Sequence, residues 1–296
     1  MKIFVFGHSG QVAHAIRQLV ATEPGNGFEW SFFSRQQVDF ENPAKLAEVI
    51  TSGRPGLVVN TSAYTAVDLA ETESQRALAV NAQAVQRLGQ AAAQVQAPVI
   101  HFSTDYVYSG QGDKPHLETD RVAPINTYGK SKALGDQYLL ESGAKALILR
   151  TSWVYAPFGA NFVQTMLRLG SSHEELSIVT DQIGAPTSAL DLARVVVSLA
   201  QRAVAGPEKI DWGIYHVAGR GATSWFGFAE EVFRQARALG FPLQVKRLNA
   251  IPTSAYITPA QRPLNSRLNQ DKLYSAFGLR LPVWQESLAE CLELLK

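Results

Sequence analysis

A chain of 296 residues is long enough for one large domain or two modest ones, with ample core. Hydrophobic residues make up 46% and charged residues 18%, and 27 basic against 26 acidic residues leave a formal charge of +1. That balance gives no electrostatic reason to expect nucleic acid or an anionic membrane as partner, although a local cationic patch for a phosphorylated ligand stays open.

The chain opens on an apolar run, Ile3-Phe4-Val5-Phe6, that predicts a buried strand. The run breaks at Gly7-His8-Ser9-Gly10, too early for a secretion signal, and no apolar span of membrane length follows, so the expected location is the cytoplasm. Gln11 to Ala21 reads as a helix and Trp30 to Phe33 as a second strand. Asn42-Pro43 starts another helix with a cap and a proline at its first position. Leu57 to Asn60 and Pro98 to Phe102 are further strands, separated by a long alanine-rich helix ending near Ala97. Ala146 to Arg150 follows the helix that carries Tyr128. Continuous apolar strands alternating with helices predict an α/β fold: a Rossmann-like, doubly wound parallel sheet covered on both faces.

Beyond Thr151 the pattern is less regular. Leu176 to Val179, Gly213 to Val217 and Leu243 to Lys246 are strand candidates. Helices are expected at Asn161 to Leu169, Ala189 to Ala203, Trp225 to Leu239 and Trp284 to Leu295. The expected organisation is a nucleotide-binding domain over residues 1–150, with later segments returning to it. A smaller α/β substrate lobe comes mainly from 151–296, across an interleaved boundary. The single cysteine, Cys291, lies in an amphipathic helical pattern and reads as a packing thiol; no intrachain disulfide can form.

Strand, Gly7-x-x-Gly10-x-x-Ala13, helix is the pattern of a dinucleotide-binding turn. The first glycine permits the tight turn, the second lets backbone approach a pyrophosphate, and the small third residue lets helix and strand pack closely. Ser9, Gln11 and Val12 complete that turn at the positive end of the helix. Ordinary strand-turn-helix corners can look similar; the position after the first strand of an alternating pattern favours the nucleotide. After the second strand comes Ser34-Arg35 where a carboxylate would suit a free ribose diol. That favours NADPH and leaves NADH open, Arg35 being also readable as a solvated surface charge. Asp39 and Phe40 are candidates to embrace the adenine, and Ser62, Ala63 and Tyr64 follow the third strand where loops meet the cofactor.

Thr104, in Ser103-Thr104-Asp105, ends the fourth strand at the sheet edge where ligands collect. Tyr128 and Lys132 are four apart on a helix and share a face. An ammonium held there is expected to lower the phenol's pKa and make Tyr128 the proton donor and acceptor for hydride transfer to a carbonyl, with Thr104 steering the substrate. The bland alternative, an accidental exposed pair, is outweighed by the combination with the nucleotide turn. His101 and His216 lie inside strands and read as packed residues. Trp153 and Tyr155 either line a pocket or belong to the core. The histidines and acids show no paired metal-ligand spacing, so no metal is expected.

These motifs resemble the dTDP-4-dehydrorhamnose reductases, a family of extended short-chain dehydrogenases/reductases, over essentially the whole chain. Carrying the resemblance are Gly7-x-x-Gly10-Gln11, Asn60 to Asp68, Ser103 to Val107, Tyr128-Gly129-Lys130-Ser131-Lys132, Arg150 to Tyr155 and Asp181-Gln182-x-Gly184-Ala185-Pro186-Thr187. Pro252 to Tyr256 and Arg262-Pro263-x-Asn265-Ser266-x-Leu268 discriminate it from relatives with other substrates. The resemblance implies reduction of dTDP-4-dehydro-L-rhamnose at C4 by NADPH or NADH, with Thr104, Tyr128 and Lys132 as the catalytic set. It implies that Asp105, Tyr106 and Trp153 help hold the sugar nucleotide, with Arg262 and Asn265 toward its far end. Another dTDP-4-keto-6-deoxyhexose reductase, a nucleotide-sugar epimerase and a non-catalytic dinucleotide-binding subunit remain alternatives. Some members dimerise around magnesium held by glutamates; the matching positions here are Ala15, Leu190 and Leu294, which cannot ligate a hard cation. A monomer, or a dimer not mediated by magnesium, is expected.

Overall fold

The computed structural model describes residues 1–22 and 27–296. Its first half runs β1 (Lys2–Phe6), α1 (Gln11–Thr22), β2 (Glu29–Phe33), α2 (Pro43–Gly53), β3 (Leu57–Asn60), α3 (Ser74–Leu78), α4 (Ala84–Gln94), β4 (Val99–Thr104), α5 (Thr127–Glu141) and β5 (Ala146–Thr151). A π-helical turn, Ala79–Gln83, joins α3 to α4. The second half runs β6 (Val154–Tyr155), α6 (Phe162–Gly170), β7 (Glu175–Val179), β8 (Ile183–Gly184), β9 (Thr187–Ser188), α7 (Ala189–Ala205) and β10 (Gly213–His216). It ends with β11 (Thr223–Ser224), α8 (Trp225–Ala238), β12 (Arg247–Ile251), α9 (Asp271–Phe277) and α10 (Trp284–Glu293).

Six strands form one parallel sheet in the order β2-β1-β3-β4-β5-β10. The order reverses direction between β1 and β3, which opens a crevice at their carboxyl ends. The inner strands are apolar on both faces because helices cover both. Leu57, Val58 and Val59 of β3 have no exposed surface, and each such side chain stabilises the fold by roughly 1.5–3 kcal/mol on burial. On one face α1 and α7 pack together over Ile3, Val5, Leu147 and Leu149; on the other α2, α4 and α5 cover Phe4, Val58, Val99 and Ile148. Segments from beyond residue 151 thus complete the sheet: α7 as cover, β10 as edge strand beside β5, and α9, whose Leu273 and Phe277 join the same core.

A second core lies outside the sheet, where α6, α8 and α10 surround Tyr155, Phe228, Phe233 and Cys291, flanked by the parallel pair β7 and β12. The Cys291 thiol is fully buried there, and burial pushes its ionisation up to about 12, as suits a packing residue. One expected strand is displaced. Leu243 to Lys246 is not a strand; the strand is Arg247–Ile251, paired with β7. Leu243 and Val245 do join this core, but the Gln244 and Val245 N–H groups both donate to Gly170 O and close the end of α6 instead of making a ladder.

Candidate active site

The crevice begins at Gly7, whose φ of 124° is open only to glycine. A Cβ there would lie 2.1 Å from Thr61 Oγ1, which itself donates to Phe6 O (2.9 Å) and ties the ends of β1 and β3 together. At Gly10 a Cβ would meet nothing within 4 Å, so backbone is open to a ligand at the start of α1. Ala13 is fully buried against the sheet. No acidic residue occupies the first turn of α1, leaving its positive end uncompensated. The residues present therefore fit a pyrophosphate. Gln11 turns toward the second half of the chain, with its side chain between Val154 O and Asn161 Nδ2, and Val12 packs against the core.

From Gly7 a cleft of about 300 Å³ runs along Arg35, Asp39, Phe40, Ser62, Ala63 and Tyr64. Ser34 serves its own turn: its N–H donates to Gln37 Oε1, and its carbonyl accepts from Gln37 and Val38. Phe40 lies edge-on to Phe6 and is 5% exposed, forming the cleft's apolar wall. Two residues absent from the sequence reading complete this end. Glu41 Oε1 accepts from Arg35 Nη2 (2.5 Å) and from Arg76 Nε (3.0 Å), and both residues line the cleft. Arg76 also pairs with Glu73 and lies over the Tyr64 ring, 5.8 Å from its centroid. Chain separation hides this cluster: Arg76 comes from α3, 35 positions after Glu41.

The reactive end is built on β4 and α5. Asn126 caps α5 by accepting from Gly129 N (2.8 Å), and a Cβ on Gly129 would fall 2.2 Å from Tyr106 O, so this helix start can seat closely under the strand end. Thr104, 6% exposed, donates to Asp105 Oδ1 (3.0 Å) and accepts from Tyr106 N, and its hydroxyl acts to lower the nearby Tyr128 phenol. Tyr106 meets Tyr128 edge to face with centroids 5.8 Å apart. Asn81 in the π-turn braces the region: its amide bonds Tyr64 N, Tyr64 O and Ser131 Oγ.

The electrostatics correct one expectation. Lys132 does not lower the phenol; its Nζ donates to Phe102 O (2.7 Å) and lies 3.2 Å from His101 Nε2. Burial pushes the Tyr128 phenol above its ordinary range, with the Thr104 hydrogen bond pulling the other way and the Asp105 and Asp136 charges adding to the rise. Tyr128 is thus held protonated, the form a proton donor needs. Burial brings Lys132 down to about 8, opposed by Asp136. Asp105 is pushed up to about 6 by burial, against hydrogen bonds from Ser266 and Thr104.

Trp153 adopts a left-handed backbone (φ 48°), an outlier for a bulky residue, and stacks on Trp225 with centroids 3.7 Å apart. Gly184 makes room for it, since a Cβ there would lie 2.5 Å from Trp153 Cε2. Gln182 accepts from Trp225 Nε1 and donates to Thr253 Oγ1, linking the stack to the 253–255 turn. Arg262 Nη2 donates to Asp68 Oδ2 (2.8 Å), while its buried Nη1 has no hydrogen-bond partner among the described residues. Asn265 is 2% exposed; its amide donates to Lys114 O and accepts from Arg267, which ties its loop to the 110–116 segment of the first half. Among the described residues no group of three or more His, Cys, Asp or Glu side chains could hold a metal. Among the described residues, no helix is long and apolar enough to cross a membrane.

A family model described as the RmlD substrate binding domain matches residues 1–296. The chain is 46% identical over 296 residues to a dTDP-4-dehydrorhamnose reductase of Escherichia coli strain K12, covering 100% of this chain and 98% of that one. The chain belongs to the dTDP-4-dehydrorhamnose reductase family. A solved dTDP-4-dehydrorhamnose reductase from Clostridium acetobutylicum matches with a TM-score of 0.91 at 35% identity, covering 100% of this chain and 99% of the other. Another, from Bacillus anthracis in complex with NADP, matches with a TM-score of 0.89 at 32% identity, covering 99% and 98%.

Proposed function

We propose that the protein reduces the C4 ketone of dTDP-4-dehydro-L-rhamnose to give dTDP-L-rhamnose, taking NADPH and accepting NADH. The observation that carries this reading is the placement of the Tyr128 ring, at the start of α5, edge to face with Tyr106 beside Thr104 at the carboxyl end of β4, on the same sheet edge as the open Gly7–Gly10 turn. When bound, the dinucleotide supplies the hydride. Thr104 holds the substrate oxygen region and orients the phenol. Tyr128 gives its proton to the C4 oxygen as that oxygen gains charge, and Lys132, once turned from His101, would hold the nicotinamide ribose and steady the resulting phenolate.

Gly7, Ser9, Gly10, Gln11 and Val12 would form the pyrophosphate turn, and Ser34, Arg35, Asp39, Phe40, Ser62, Ala63 and Tyr64 the adenosine end. Asp105, Tyr106, Trp153 and Arg262 would line the sugar nucleotide. The unpartnered Arg262 Nη1 supports a diphosphate contact. Asn265 would act there by fixing the loop that carries Arg262. In this scheme residues 1–150, completed by α7, β10 and α9, bind the dinucleotide, and the segments of 151–296 around the second core bind the sugar nucleotide. Ala15, Leu190 and Leu294 supply no oxygen side chain for a shared magnesium, so the proposed state is a monomer or a dimer made without it. The proposed compartment is the cytoplasm, where a lone buried thiol stays reduced.

The test is NADPH oxidation by purified protein with the dTDP-keto sugar generated in situ. Stoichiometric oxidation with formation of dTDP-L-rhamnose is expected. Epimerisation without net oxidation, or dinucleotide binding without turnover, contradicts the proposal.

A further inference from the structure

Beneath the catalytic lysine, Asn60, His101 and Lys132 form a chain with at most 1% exposure at any member. Asn60 ends β3 and pairs in register with His101 of β4. The Ser62 N–H donates to Asn60 Oδ1 at 3.0 Å. A backbone N–H can only donate, so that end of the amide is oxygen and the other end is NH₂. The NH₂ lies 2.9 Å from His101 Nδ1, which must therefore be the ring's acceptor. Full burial by itself holds His101 well below its ordinary pKa, so the ring is neutral and carries one proton. That proton sits on Nε2, 3.2 Å from Lys132 Nζ. An ammonium at this distance would set N–H against N–H, whereas an amine accepts the imidazole proton and still donates to Phe102 O at 2.7 Å.

We propose that Asn60 and His101 act as a tautomer lock on Lys132: by directing Nε2–H at the lysine nitrogen, they disfavour its ammonium form in the ligand-free site. The proposal rests on the reading of Lys132 as catalytic and makes His101 a positioning residue for it. The charged and titratable groups around Lys132 divide into two sets. Tyr128 and Asp136 share its helix, and only the Asp136 carboxylate favours the ammonium. From the sheet, His101 faces it directly, while Arg150 of β5 draws on the Asp136 carboxylate and Asp105 stands beyond the end of β4. The lock spares the lysine a fully buried charge whose one direct acceptor among the described residues is Phe102 O, and it gives way once the lysine turns from His101 toward a ligand.

The experiment is ¹⁵N-histidine NMR of the ligand-free protein near pH 7.5, with the His101 signals identified by their loss in His101→Gln. The Nε2–H tautomer is expected; the Nδ1–H tautomer overturns the proposal, whatever the fate of any variant. In Asn60→Asp the carboxylate still accepts from Ser62 N–H but cannot donate to Nδ1, so the ring should switch to Nδ1–H and offer Nε2 to the ammonium. The alkaline limb of kcat/KM for NADPH, which reports the free enzyme, should then move up by about one pH unit or more. An unchanged tautomer or an unmoved limb in a folded Asn60→Asp protein overturns the lock. The NMR readout needs no turnover, so a failure of the proposed reductase activity would be seen separately.

Discussion

Asp136 and Arg150 form an ion pair almost sealed from water: Oδ2 lies 3.1 Å from Nε, and neither side chain is more than 3% exposed. Arg150 also donates to Tyr108 OH (2.8 Å), and Ser103 donates to the same Asp136 oxygen (2.9 Å), so the pair joins β4, β5 and α5 directly behind the catalytic helix. Removing one member leaves the other charged, buried and unmatched. Arg150→Met is therefore expected to lower stability by about 3–5 kcal/mol, read from urea unfolding. Combining it with Asp136→Leu should cost less than the two single losses together; full additivity would mean that the charges do not interact.

At the adenosine end the guanidinia of Arg35 and Arg76 meet the three carboxylates of Asp39, Glu41 and Glu73. A 2′-phosphate must take the place of Glu41 between the two arginines. Glu41→Gln is expected to favour NADPH over NADH by about three- to tenfold, a modest factor because these groups are exposed and screened. Arg35→Ala and Arg76→Ala should each weaken NADPH more than NADH. KM values for the two coenzymes check this, and equal losses for both would remove the phosphate role.

Much of this was legible in the sequence where chemistry is local. The Gly7 turn, the Thr104 strand end and the Tyr128–Lys132 spacing are each set within a few residues, and the fold brings them to one edge. The Arg76–Glu41 pair and the Asn60–His101–Lys132 chain were not legible, because each joins separate elements through burial and strand register. The phenol's shift went the other way for a related reason. Spacing places Lys132 on the same face as Tyr128, but the rotamer that satisfies a buried lysine turns it to Phe102 O and His101. The strand at Arg247–Ile251 was missed because Leu243-Gln244-Val245-Lys246 alternates as well as a strand should; its neighbour Gly170 decides otherwise.

Acid stability follows from two buried histidines. His216 is brought down to about 3, chiefly by burial and then by Arg150, and His101 is lowered by burial and Lys132. A lowered folded pKa means that the unfolded chain binds the proton first, so stability is full above about pH 6.5 and falls as pH drops toward the folded value. Asp105, raised to about 6, has the opposite sign: it adds stability as pH falls from about 6 toward the unfolded value. Stability should therefore decline between pH 6.5 and 3 with a slope that His216→Gln reduces in urea titrations at stepped pH. An unaltered slope in that variant would remove His216 from the explanation.

Tyr128→Phe keeps the ring beside Tyr106 and removes only the phenolic hydroxyl. Turnover is expected to fall by about 10²-fold or more, the scale of general acid catalysis, with little change in NADPH affinity by fluorescence titration. Near-normal turnover would be incompatible with its role as proton donor.

The reaction itself is tested most directly by following the hydride. Protein incubated with dTDP-4-dehydro-L-rhamnose and NADPH deuterated at the transferable position of nicotinamide C4 should yield dTDP-L-rhamnose with deuterium bonded to sugar C4. A keto sugar recovered unreduced, or a reduced sugar without label at C4, contradicts reduction by a nicotinamide held against the Thr104–Tyr128 pair.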